Sequence, residues 1–377
     1  MDSLQLAQAL IRCPSVTPDH AGSLDIIEEQ LKPLGFQCHR LNFEGVENLY
    51  AKLGQGGNIF CFAGHVDVVP IGEPTMWKHP PFGGEVKDGK LWGRGSADMK
   101  TAIACFISAV EKYHKSLPKT AAISLLITSD EEGEAEHGTK KVLEWMQENN
   151  EKITTCLVGE PTNRTELGEI MKVGRRGSLS AKLTVKGTSG HIAYPHLAEN
   201  PIPAFLTLLQ KLTSLELDKG SQYFEPSNLE ITNIHIGNEA SNVIPAEAEA
   251  FFNIRYNDHH DKTSLIKKIE QALQKTNIGK AQYDLIFTHH GDSFISKEGK
   301  LAACIKKAVK EITGKDIKAD TGGGTSDARF IKNHSEVVEF GMVGASMHKT
   351  DEHIPLADIE KLQDIYEKVL TDYFSAG

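Results

Sequence analysis

The segment Ala121–Thr128, AAISLLIT, is among the longest apolar runs of the chain. It is far too short to cross a bilayer, which takes about 20 residues as a helix. It reads as a buried strand, flanked by helix patterns over Thr101–His114 and Thr139–Glu148. Further strand patterns cover Asn48–Leu53, Asn58–Ala63 and Thr154–Val158, and further helix patterns cover Ser3–Arg12 and Ser23–Leu34. A hairpin is expected over Gly84–Trp92, turning at Asp88-Gly89. Short buried strands separated by helices predict an α/β fold, with a mixed, largely parallel sheet covered by helices.

After Gly177 the rhythm changes. Strand patterns at Leu179–Lys186, Asn228–His235, Ala248–Tyr256 and Ala281–Thr288 alternate with helix patterns at Pro203–Leu215 and Lys262–Gln274. The order β-α-β-β-α-β is that of a ferredoxin-like unit. The α/β rhythm then resumes, with a helix to Thr313, strands near Ile317 and Val337–Phe340, and a last helix over Ile359–Phe374. The expected organisation is a catalytic domain in two parts, 1–177 and 293–377, interrupted by an inserted domain, 178–292. A length of 377 residues suits two domains.

Lys and Arg number 41 against 51 Asp and Glu, a net charge of −10, which argues against a general nucleic-acid binder. With 40% hydrophobic residues and no long apolar stretch, no membrane association is expected. The start, MDSLQLAQALIRCPSV, lacks the basic and apolar regions of a signal peptide. The six cysteines are scattered without a CxxC pair, which fits free thiols and a cytoplasmic location.

Chemistry concentrates where strands end. His65 and Asp67 lie two apart after the Asn58–Ala63 run, so in an extended chain both side chains face one way. Asp98 precedes a helix pattern and could serve simply as its N-cap. Glu131 and Glu132 follow Ala121–Thr128, and Glu160 follows Thr154–Val158. Open parallel sheets bind ligands at the carboxyl ends of their strands. So many carboxylates together repel unless cations lie between them, and a mixed imidazole and carboxylate set suits two zinc ions sharing a carboxylate. Adjacent Glu131 and Glu132 cannot easily face the same way, so one is available as general base. A final histidine would complete the set; His348 is the candidate and His353 competes by proximity, though both can be read as surface-loop histidines, as can His79, His289 and His290.

The segments GHVDVVP, WKHPPF, GRGSADMK, SDEEG and GEPT, in this order, resemble the dinuclear-zinc amidohydrolase and peptidase family M20. The resemblance extends over essentially the full length and includes Gly174–Ser178, Gly190–His196, Asn242–Pro245 and Gly322–Asp327. It implies two zinc ions per subunit, with cobalt a candidate substitute. His65 and Glu160 would hold one ion, Glu132 and His348 the other, and Asp98 would bridge them. Glu131 would be the general acid/base and Asp67 the partner of His65. A cis peptide is implied after Asp98. Thr101 departs from the pattern, since many relatives carry glycine there.

The resemblance further implies that the insert is a dimerisation domain and that His191 reaches the active site of the partner subunit, where it stabilises an oxyanion. Asn242 and Arg255 look like substrate contacts. Arg175, set with Arg176 between two glycines, can offer a bidentate fork to a carboxylate. Gly323, Gly324 and Thr325 offer N–H groups and a hydroxyl to an anion, and no P-loop lysine follows. These groups suit a small molecule with several carboxylates. The resemblance implies hydrolysis of N-succinyl-LL-2,6-diaminopimelate, in lysine and peptidoglycan precursor biosynthesis. The alternatives are acetylornithine deacylation, another amidohydrolase or carboxypeptidase activity of the family, or a non-catalytic, metal-stabilised binding protein.

Overall fold

The computed structural model describes residues 1–296 and 299–375. The chain divides into two compact units, one of Met1–Val173, Ser296–Asp320 and Ser326–Gly377, the other of Gly174–Ile295 with Thr321–Thr325. The second unit extends past the expected 178–292 limits because Gly174–Arg175 pairs antiparallel with Phe294–Ile295.

The first unit is built on an eight-stranded mixed sheet. Its order is Gln37–Phe43, Val46–Leu53, Ala121–Thr128, Asn58–His65, Thr155–Val158, Glu336–Glu339, Ile170–Lys172, Lys318–Asp320. The central strand Asn58–His65 runs parallel to both neighbours. Every residue of Ala121–Thr128 is buried, as the unbroken apolar run requires. Phe60 and Phe62 of the central strand pack on helix Lys100–Tyr113 and on the last helix, Leu356–Ser375. Phe62 stacks on Phe106 at 4.3 Å and meets Tyr366 edge-on at 5.9 Å. This aromatic layer fixes the strand whose end carries His65.

Gly64 and Gly159 are small for a reason. A Cβ on Gly64 would sit 2.5 Å from Met99 Cε, and one on Gly159 would sit 2.6 Å from the same atom. Met99 fills this space directly after the Asp98-Met99 cis peptide. Thr101, the departure from the family pattern, is fully buried in the helix that follows.

The second unit is a four-stranded antiparallel sheet in the order Asn228–His235, Glu247–Tyr256, Gly177–Lys186, Gln282–Gly291. In chain order its strands and helices read β-α-β-β-α-β, the ferredoxin-like arrangement. Helices Ile202–Thr213 and Lys262–Gln274 bury Phe205, Leu208, Leu212, Leu265, Ile269 and Leu273 in a core shared with Leu179, Leu183, Phe252 and Ile254. The sheet residues Phe251 and Ile286 remain exposed.

Candidate metal centre

His65 ends the central strand and is 1% exposed. Its Nδ1 lies 2.8 Å from the main-chain oxygen of Asp67. A carbonyl only accepts, so Nδ1 carries the hydrogen and Nε2 turns its lone pair outward. That lone pair faces Asp98 Oδ1 at 3.2 Å and Glu160 Oε1 at 3.7 Å. On the other side of Asp98, Oδ2 lies 3.2 Å from His348 Nε2, which is also 2.8 Å from Glu132 Oε1. Asp98 therefore turns one oxygen to each of two histidines. It does not cap the following helix, whose N-cap is Met99.

Ligating atoms of His65, Asp98 and Glu132, one from each, lie within 4.8 Å of one another, and the same holds for His65, Glu131 and Glu160. Lone pairs and carboxylate oxygens converge here without enough hydrogens between them. Such a set of imidazole and carboxylate donors, with His348 beside Asp98 and Glu132, suits divalent cations.

Without cations the electrostatics fall to the protein alone. Burial disfavours an imidazolium at His65, but the Asp98 hydrogen bond and the charges of Asp67, Asp98 and Glu131 outweigh it and hold the ring well above its ordinary pKa. Hydrogen bonds to Asp98 and Glu132 lift His348 to about 10, against burial. Burial would raise Asp98, yet the two histidines hold it well below the usual carboxylate range. Glu131 is pushed well above its ordinary value by burial first, then by the charge of Glu160, with His65 opposing.

Asp67 is fully buried, and its carboxylate does more than face His65. The carboxylate oxygen lies 3.6 Å from the ring, while the main-chain oxygen makes the shorter contact. Its Oδ2 accepts the N–H groups of Glu131 at 3.1 Å and Glu132 at 3.0 Å. One carboxylate thus fixes the turn from which the two glutamates diverge.

The remaining candidates belong to the second unit. Gly190–His191 pairs with Val243–Ile244, and Ile192 N–H donates to Asn242 O at 3.1 Å, so His191 and Asn242 sit on one short ladder. Ala193 N–H donates to His191 Nδ1 at 3.0 Å, which leaves the hydrogen on the exposed Nε2. Arg255 lies opposite Ser178 and Asn228 in the sheet. Arg175 is 8% exposed and donates from Nη1 to Gly324 O at 3.0 Å. Gly323 has φ +98, and a Cβ there would meet Arg175 Nη1 at 2.9 Å, so both the conformation and the close approach call for glycine. Thr325 closes the same short segment. Arg176 turns to Asn228 Oδ1 at 2.9 Å.

The sequence reading overlooked Glu352. It is fully buried and accepts from Arg94 and from the N–H groups of Gly95, Ala97 and Asp98. Its position beside His348 and His353 was the only available signal.

A model of peptidase family M20/M25/M40 matches residues 61–372, most of the chain. The chain belongs to this family. Among curated M20 relatives, the succinyl-diaminopimelate desuccinylase of Rhodospirillum centenum is 52% identical over 382 residues, covering 100% of this chain and 98% of that one. The protein of the same name from Parvibaculum lavamentivorans is 50% identical over 380 residues, covering 99% and 96%. Among solved structures, the M20 family metallo-carboxypeptidase of Sulfolobus solfataricus aligns over 100% of both chains, with a TM-score of 0.83 at 16% identity. A Bacillus subtilis M20 protein described as a dinuclear metal binding peptidase aligns over 97% of this chain and 96% of its own, with a TM-score of 0.69 at 15% identity. At such low identity these structures show the shared fold.

Proposed function

We propose that the protein is a cytoplasmic, homodimeric two-zinc hydrolase that cleaves N-succinyl-LL-2,6-diaminopimelate into succinate and LL-2,6-diaminopimelate. The observation that carries the chemistry is Asp98, with its two oxygens each 3.2 Å from a different histidine. The substrate rests on full-length similarity to desuccinylases, 52% in one case. No helix among the described residues is long and apolar enough to cross a membrane, which agrees with a cytoplasmic place.

His65 and Glu160 would hold one zinc, Glu132 and His348 the other, and Asp98 would join them. When bound, the ions supply Lewis acidity, making a water more acidic and polarising the succinyl carbonyl. Glu131 takes one proton from the attacking water. The remaining hydroxide adds to the amide carbon, and the same proton passes from Glu131 to the departing amine as the C–N bond breaks. His191 of the partner subunit, protonated on Nε2, donates to the oxyanion. Arg175, Arg255, Asn242 and the Gly323-Gly324-Thr325 segment orient the substrate carboxylates. Dimerisation through the insert is supported by the exposed apolar side chains Ile192, Tyr194, Leu197 and Leu206.

The test is hydrolysis of N-succinyl-LL-2,6-diaminopimelate by zinc-loaded protein, with N-acetylornithine alongside. Turnover of the succinyl compound, abolished by a chelator and restored by zinc, is expected. Preference for acetylornithine would overturn the substrate. Activity that survives complete metal removal would overturn the mechanism.

A further inference from the structure

Five segments bring the candidate ligands together in the first unit, and one buried ion pair touches three of them, those of His65, Asp98 and His348. Arg94 and Glu352 are 2% and 0% exposed, and Arg94 Nη1 donates to Glu352 Oε2 at 2.8 Å. Arg94 also donates to Lys349 O at 3.1 Å, in the residue after His348, and to Pro70 O at 3.4 Å, in the loop that leaves His65. Its guanidinium lies over the Trp77 ring at 5.2 Å. Glu352 Oε2 accepts Gly95 N–H at 3.1 Å, while Oε1 accepts Ala97 N–H at 2.8 Å and Asp98 N–H at 3.2 Å.

Glu352 follows His348 by four residues, so a single carboxylate links the backbone of the bridging residue to the loop of the second histidine. That loop needs fixing. The His348 side chain is 45% exposed, and its backbone has φ 61, a left-handed conformation that a non-glycine residue keeps only where its surroundings hold it. His65, by contrast, sits at the end of a buried central strand.

We propose that Glu352, paired with Arg94, is a positioning residue that sets the distance between Asp98 and His348, and so governs the affinity for the ion beside Glu132 and His348. This rests on the two-ion reading above. Outer partners of ligating groups commonly alter metal affinity by about 10–100-fold. Glutamine at this position keeps the shape but offers one acceptor oxygen, and turns an NH2 toward groups that are all donors.

The experiment is a calorimetric zinc titration of metal-free wild-type and Glu352→Gln protein, with the visible spectrum of the cobalt-loaded forms and the melting temperature of the metal-free forms. The variant should bind the ion beside His65 and Glu160, the first ion, within about threefold of wild type, and the ion beside Glu132 and His348, the second, at least about tenfold more weakly. The cobalt band belonging to the second ion should shift. Unchanged affinity for both ions, or equal weakening of both, would overturn the proposal. If Glu352→Gln does not fold without metal, Arg94→Lys carries the test. It retains the buried charge pair but cannot reach the Lys349 and Pro70 carbonyls together, so selective weakening of the second ion is again expected, and unchanged or equal affinities overturn it. Wild-type protein that binds fewer than two ions would instead sink the two-ion reading.

Discussion

Glu131 and Glu132 hang from the same carboxylate yet serve different neighbours. Glu132 Oε1 meets His348 at 2.8 Å, whereas an oxygen of Glu131 lies in the group with His65 and Glu160. The sequence could say that adjacent glutamates diverge, but only the resemblance said which one does what. Glu131→Gln should leave zinc stoichiometry intact and lower kcat by about two to four orders of magnitude, read by steady-state assay beside metal analysis. Near-normal turnover in that variant would remove Glu131 from the mechanism. Asp67→Asn places an NH2 group among the N–H groups of Glu131 and Glu132, so kcat should fall by about tenfold or more with both ions still bound. Asp67 was legible as a neighbour of His65 because strand alternation is local. Its hold on Glu131 and Glu132 was not, because that contact spans two strands. Glu352 escaped notice for the same reason: a buried carboxylate in a polar loop looks like a solvated one until its distant donors are known.

At the level of elements, the apolar run and the helix periods were readable, and the parallel centre of the sheet followed from them. The edge strand Gln37–Phe43 was not, because it carries His39, Arg40 and Asn42 and none of its residues is fully buried. Strand Ile170–Lys172 is too short to leave a periodic signal. Close packing behind the site predicts that Gly64→Ala displaces Met99. It should destabilise the protein by about 1–3 kcal/mol in urea unfolding and lower metal affinity with it. The insert has its own tie. Asp218 accepts from Asn257 and from the N–H groups of Gly220 and Ser227, and it meets His260 at 3.1 Å. Burial works to raise its pKa, but these hydrogen bonds, with that of the Ser227 hydroxyl, bring it down to about 2. The folded value lies below the ordinary 3.8, so this stabilisation is present above about pH 4 and is lost as pH falls through about 2. Asp218→Asn should therefore cost stability at pH 6, and the gap to wild type should narrow at pH 2.5, measured as paired urea midpoints.

At the scale of the whole molecule, ions held among the converging carboxylates would couple metal binding to folding. Zinc that binds only the folded chain should raise Tm with concentration, by about 2.7 kcal/mol of stability at a hundred times the Kd. A Tm insensitive to zinc and chelator would mean that no ordered site forms. Mixed dimers test the trans role of His191: pairing a His191→Ala subunit with a Glu131→Gln subunit should restore activity that neither homodimer has. The N–H of Ser296 bonds to Val173 O at 2.6 Å, so the larger unit closes its backbone where the insert leaves and returns. To the larger unit, more than a hundred residues are a detour that begins and ends at one hydrogen bond. Recombination at that stitch would exchange Gly174–Ile295 and leave only Thr321–Thr325, the other part of the second unit, behind. A lineage built this way can revise what it recognises and how it assembles while the candidate metal ligands, all in the larger unit, are inherited unchanged.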